Sequence, residues 1–186
     1  MSKVTKDQRI ERTRQALLGA FVQLMFEGRR YDRITIADLI ERAGVGRSTF
    51  YEHYRNKHEV LAETIRYPFA PLASAVDVDS DVAKLRGALT HFLENRVQAR
   101  VMFAGAMRMR ISAILASMIE ERLRLRARGN GTAGSASLGI AAIAIADGQL
   151  AAIVSWLSGE TARDQALLAL TLHRIAQATA REICAV

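Results

Sequence analysis

Cysteine, proline and aromatic residues are all scarce in this chain of 186 residues. Cys184 stands alone, so no intrachain disulfide can form, and a reducing cytoplasm is the expected setting. Met1-Ser2-Lys3 opens the chain with polar residues and no apolar secretory core. Pro68 and Pro71 are the only prolines, and β-branched runs are short, so long helices meet few breakers. The four histidines are scattered, without metal-ligand spacing and without a nucleophile–base–acid set. An enzyme is therefore not expected, nor is a cofactor or a metal. The most apolar segment, Leu138 to Leu157, is interrupted by Asp147 and Gln149 and is rich in Ala and Gly. A membrane span needs about 20 predominantly apolar residues. This segment reads instead as a helix buried on most sides.

What is abundant is Ala, Leu and Arg, within a composition that is 50% hydrophobic. The expectation is an all-α fold of about nine helices. Residues 1–6 read as a disordered basic arm carrying Lys3 and Lys6, and helices are expected over 7–27, two short stretches between 35 and 54, 57–67, 82–98, 99–106, 107–126, 138–157 and 162–184. Pro68 and Pro71 either end or kink the fourth helix. The net charge is +7. Residues 1–57 hold 12 Lys/Arg against 7 Asp/Glu, an excess of +5, and the remainder holds 14 against 12, an excess of +2. The positive excess sits at the N-terminal end, as a polyanionic partner requires.

Within that basic end, residues 35–57 read T-I-A-D-L-I-E-R-A-G-V-G-R-S-T-F-Y-E-H-Y-R-N-K. Thr35 and Asp38 have capping-box spacing. Ile36, Leu39, Ile40 and Ala43 form one apolar face. Gly44 stands where a left-handed C-cap is wanted. A second helix follows from about Gly46, with Arg47, Ser48, Thr49, Glu52 and His53 polar around Phe50 and Tyr54. Helix, glycine turn and a second helix with polar and basic residues at its start make the helix-turn-helix signature. Arg47 is the leading base reader, since its guanidinium can pair bidentately with guanine. Ser48 and Thr49 suit a thymine methyl or a base edge. Glu52 either accepts from cytosine or keeps the helix soluble. Phe50 and Tyr54 belong to the core.

The same stretch resembles the DNA-binding motif of the TetR family of transcriptional repressors. The likeness rests on Thr35, Ala43-Gly44-Val45, Thr49-Phe50-Tyr51, Tyr54 and Lys57; Gly46 and Ser48 depart from the usual pattern. The resemblance covers about a third of the chain. It implies that Thr35, Tyr51, His53 and Lys57 contact phosphate, with burial as the competing reading for Tyr51 and His53. It also implies that the helix from Lys57 links a DNA-binding domain, residues 1–56, to a regulatory ligand-binding and dimerisation domain, residues 57–186. Such a domain would hold a small-molecule inducer. Tyr67, Phe69, Phe92, Met102, Phe103, Met107 and Trp156 are candidate lining residues, since Met and aromatics suit an adaptable apolar cavity and an ordinary core equally. His91 is a possible polar contact.

The last two helices carry more apolar surface than one chain needs, with Leu168, Leu172, Ile175, Thr179 and Ile183 on one face and Leu167 and Leu170 on another. A homodimer through these helices is expected. Two further motifs are discounted. Gly129 to Gly134 matches G-x-G-x-x-G but lacks a preceding strand, and residues 76–81 lack the glycine and distal glutamate of a calcium loop. The leading reading is a dimeric, ligand-responsive repressor on a palindromic operator. The competing one is a basic architectural or partner-binding protein on DNA without ligand control.

Overall fold

The computed structural model describes residues 2–127, 135–161 and 164–185; the G-x-G-x-x-G stretch lies outside them. They form nine α-helices and no strand. Two compact units divide the chain at Ile65 and Arg66.

The first unit contains α1 (Ser2–Phe26), a 3₁₀ turn (Tyr31–Arg33), α2 (Ile36–Ala43), α3 (Arg47–His53) and the start of α4 (Lys57–Ala73). α1 begins at Ser2, not at the expected Asp7, because no glycine or proline precedes Gly19. It ends in a Schellman motif: Gly28 takes φ +81°, its N–H donates to Met25 O, and Arg29 N–H donates to Leu24 O. Leu17, Phe21, Leu24, Ile34, Leu39, Phe50, Leu61 and Ile65 fill the core. Ile10, expected on the same face, is 39% exposed.

The second unit contains the rest of α4, a 3₁₀ turn (Ser74–Val76), α5 (Val82–Glu94), α6 (Arg96–Met102), α7 (Gly105–Ala127), α8 (Ser135–Ser158) and α9 (Gln165–Ala185). Neither proline stops α4, which runs through Pro68 and Pro71 to Ala73. An interior proline costs about 3 kcal/mol. Burial of Phe69, Leu72 and Ala73 at the same turns offsets that cost. The expected helix over 82–98 is broken at Asn95, whose side chain donates to His91 O at 2.9 Å and so competes with the helical ladder. α6 therefore starts at Arg96, three residues ahead of the expected 99. Leu93, expected inward, is 45% exposed.

α7 packs along α8, and α9 packs against α5 and α8. Asp81 caps α5 by accepting from Ala83 N, and Asp77 pairs with Arg122, so the acidic turn serves the fold. Burial raises the Asp77 carboxyl above the ordinary range against the pull of Arg122. The same turn is held from α9 by Gln177, whose amide donates to Ala75 O, Asp77 O and Ser80 Oγ. Of the two apolar faces of α9, only Leu172 is buried, on the side packed in the unit. Ala169, Leu172, Ala176, Ala180 and Cys184 are buried, whereas Ile175 is 55% exposed. Small side chains at i, i+4 spacing fill that face, leaving Leu167, Leu170 and Ile175 to the outside. α8 is long and apolar enough to cross a membrane by length and composition. One side of it is buried in the unit, and Ile140, Ile143, Ala144, Gly148 and Ala151 share the exposed side with Asp147.

Candidate nucleic-acid interface

The geometry of the reader starts at Thr35. Its hydroxyl accepts from Asp38 N at 3.1 Å and donates to Asp38 Oδ2 at 2.7 Å, while Thr35 N donates to the same carboxylate at 2.8 Å. The backbone and hydroxyl donors of Thr35, with the Arg29 guanidinium at 2.7 Å, hold the Asp38 carboxyl down at about 2. The capping box is complete and fixes the first turn of α2. At the other end Gly44 takes φ +65°, and Val45 N–H reaches back to Ile40 O. This left-handed residue turns the chain sharply into α3.

α3 has Gly46 as N-cap, with no side chain bonded to its first amides. Phe50 is fully buried beneath it, and Tyr54 is buried at its end. Tyr54 donates its hydroxyl to Glu63 Oε2 at 3.0 Å, and Arg14 reaches the other oxygen of Glu63. Burial, then the neighbouring carboxylate, pushes the Tyr54 phenol up to about 12, so it remains a donor throughout the working range. Through these three side chains α1, the end of α3 and α4 share one polar tie. The sequence reading missed it because Arg14 and Glu63 lie 49 residues apart.

With its underside anchored, α3 presents Arg47, Ser48, Tyr51 and Glu52 on the exposed side, with Thr49 and His53 half-buried. Arg47 Cζ lies 5.9 Å from the Tyr51 ring centroid, within cation–π range. Among the described residues Arg47 has no acid partner, and the same holds for exposed Arg30 and Arg33. Three other arginines of the unit are paired with acids: Arg14 with Glu63 and Glu11, Arg29 with Asp38, and Arg42 with Glu27. Among the described residues Arg47 is thus one of several exposed, unpaired arginines of the unit, and it stands at the start of α3.

Lys57 faces inward. Its ammonium donates to Ile34 O at 2.7 Å and Tyr31 O at 3.0 Å, and lies 4.6 Å from the Tyr31 ring centroid. His58 Nδ1 lies 2.7 Å from the Tyr31 hydroxyl. Both side chains clasp the 3₁₀ turn that leads into α2. Thr35, with its hydroxyl engaged in the cap, and Lys57, with its donors on carbonyls, shape the reader from within.

In the second unit the expected lining residues separate. Phe69, Phe92 and Phe103 pack on one another with centroids 5.2 to 5.8 Å apart. Met107 and Trp156 are buried, Met102 is half-buried, and His91 is exposed. Tyr67 is 89% exposed and stands outside the aromatic cluster. Phe103 borders a cleft of about 240 Å³, and Trp156 borders another of about 160 Å³.

Residues 25–64 match the family model described as bacterial regulatory proteins, tetR family. Over 74 residues the chain is 38% identical to the uncharacterized HTH-type transcriptional regulator YxbF of Bacillus subtilis (strain 168). That match takes in 40% of this chain and 20% of the relative, so the chain spans about a fifth of that relative's length. The crystal structure of a TetR transcriptional regulator from Streptococcus agalactiae 2603V has the same fold, with a TM-score of 0.57 at 23% identity over 94% of this chain and 98% of that one. The capped helix-turn-helix and its exposed Arg47 fall within the matched stretch: residues 25–64 form a helix-turn-helix similar to that of the bacterial regulatory proteins, tetR family.

Proposed function

We propose that the protein is a cytoplasmic, homodimeric repressor that binds a palindromic operator through α3 and leaves it when a small molecule binds the second unit. The observation that carries the DNA-binding part is Arg47: exposed, without an acid partner among the described residues, and braced on Tyr51 at the start of a helix whose underside is locked. Arg47 reads a guanine edge, Ser48, Thr49 and Glu52 contact neighbouring bases, and Tyr51 and His53 reach phosphate. Lys57 and Thr35 act by holding the turn before α2. One α3 spans only a few base pairs, so tight and selective binding needs two copies about one DNA turn, roughly 34 Å, apart.

The outward stripes of α8 and α9 support a dimer. Ile140, Ile143, Leu167, Leu170 and Ile175 are between 37% and 70% exposed, a run of aliphatic residues that a second copy would cover. Ligand control enters as population shift, with the small molecule preferring one arrangement of the dimer. The role is regulatory, not enzymatic. Selection of binding sites from random duplex DNA tests the reading. The expected result is an inverted repeat bound by a dimer, with affinity falling steeply as salt rises. Failure to enrich any inverted repeat would reject it in favour of an architectural DNA-binding protein.

A further inference from the structure

The sequence carries one feature that DNA binding does not use. From Asn95 to Ile119 there are four arginines (Arg96, Arg100, Arg108 and Arg110) and no Asp or Glu. This basic run lies in the second unit and supplies α6 and the start of α7. The 240 Å³ cleft is lined by Arg100, Phe103, Ala104, Val154, Leu157 and Ser158. Arg100 is its only charged lining residue and has no acid partner among the described residues. The 160 Å³ cleft adjoins it at Leu157, shares that side chain, and has Arg96 as its only charged lining residue.

The end of α8 forms the wall between the two clefts. Helix C-termini repel anions through their free carbonyls. Here three of the last four are covered: Arg96 Nε donates to Leu157 O at 2.7 Å, Gly159 N to Trp156 O at 3.1 Å, and Glu160 N to Ser155 O at 3.0 Å. The Glu160 carboxylate accepts from Ser155 Oγ at 3.0 Å. An apolar floor, unpaired guanidinium charge and masked carbonyls together favour a ligand with an apolar body and one anionic end.

We infer that this double cleft binds an amphipathic monocarboxylate, its carboxylate on Arg100 and its apolar chain over Phe103, Val154 and Leu157. Guanidinium and carboxylate match in charge and in planar donor–acceptor geometry. The inference deepens, and rests on, the ligand-controlled reading above by naming the chemical class of the effector.

Trp156 is the sole tryptophan and lines the second cleft, so its fluorescence reports occupancy. Octanoate, kept below its micelle concentration, is titrated into the full-length protein without DNA. Saturable binding is expected, with 1-octanol at least about tenfold weaker, since it lacks the charge-assisted bond. Arg100→Gln lowers octanoate affinity about tenfold and leaves octanol unchanged; Ala104→Phe fills the cleft and abolishes both. Octanol binding as tightly as octanoate, an unchanged R100Q titration, or attachment only to phosphatidylglycerol vesicles would overturn the site. Release of a selected operator is measured separately. Octanoate binding without release supports the site and counts against ligand control from it. Release by some other compound, with no octanoate bound, overturns the site and leaves ligand control standing.

Discussion

Asp38 offers a quantitative test of how the reader is held. Its carboxylate accepts from Thr35 N, Thr35 Oγ1 and Arg29, and its pKa falls from 3.8 to about 2. That fall corresponds to at most roughly 2.5 kcal/mol of preference for the ionised form in the folded state. The side chain is 24% exposed, and solvent screens the interaction, so about 1 kcal/mol is the expected contribution, matching an ordinary cap. The folded pKa is depressed, so this stability is fully present above the unfolded carboxylate value near 3.9. It is lost as pH drops through the window from about 4 to about 2. Asp38→Asn keeps the shape and removes the charge. Amide exchange in α2, read at Asp38, Leu39 and Ile40 in both proteins, isolates the effect from other carboxylates. At pH 6 the variant amides open about five- to tenfold more often, and the difference between the proteins shrinks towards pH 2. A difference that stays constant across that range would refute the assignment of the depressed pKa to the capping box.

Three other outcomes follow from the same geometry. Gly44→Ala costs about 1 kcal/mol in urea denaturation purely from its left-handed backbone, since an added Cβ meets nothing within 4 Å; an unchanged midpoint would contradict this. Ultraviolet titration should find one of the four tyrosines ionising near pH 12, and Tyr54→Phe should remove that step while costing about 1 kcal/mol of stability. Ile143→Glu, on the exposed side of α8, should shift sedimentation towards monomer and weaken operator binding without lowering the helical circular dichroism; a dimer of unchanged strength would exclude this face.

Local chemistry made part of this molecule readable in advance. The capping box and the Gly44 turn are written within ten residues, so α2 and α3 stand out from residue types alone. What resisted reading depends on partners far along the chain. Lys57 looks like a free cation until its carbonyl partners, 23 and 26 residues earlier, are in place. The Arg14–Glu63–Tyr54 tie has no local mark. On α9 the two apolar faces are legible, but not that alanines with Leu172 fill the packed side, because a tightly filled interior rewards fit as well as size. Local propensity leaves open whether the prolines of α4 end or kink it; the burial of Phe69 and Leu72 beside them accompanies a helix that runs through both. Asn95 needed its own side chain on a carbonyl to be recognised as a break.

Sequence preference at the guanine expected under Arg47 tests the central claim most directly. Wild type and Arg47→Ala are compared on the selected inverted repeat and on a repeat with that base pair exchanged, at fixed salt. The variant should fold as stably as wild type to within about 0.5 kcal/mol, as its side chain is exposed. Its binding should weaken by about 1–3 kcal/mol per half-site, with both repeats then bound alike. If the variant still prefers the original repeat by the wild-type margin, α3 does not read DNA through Arg47.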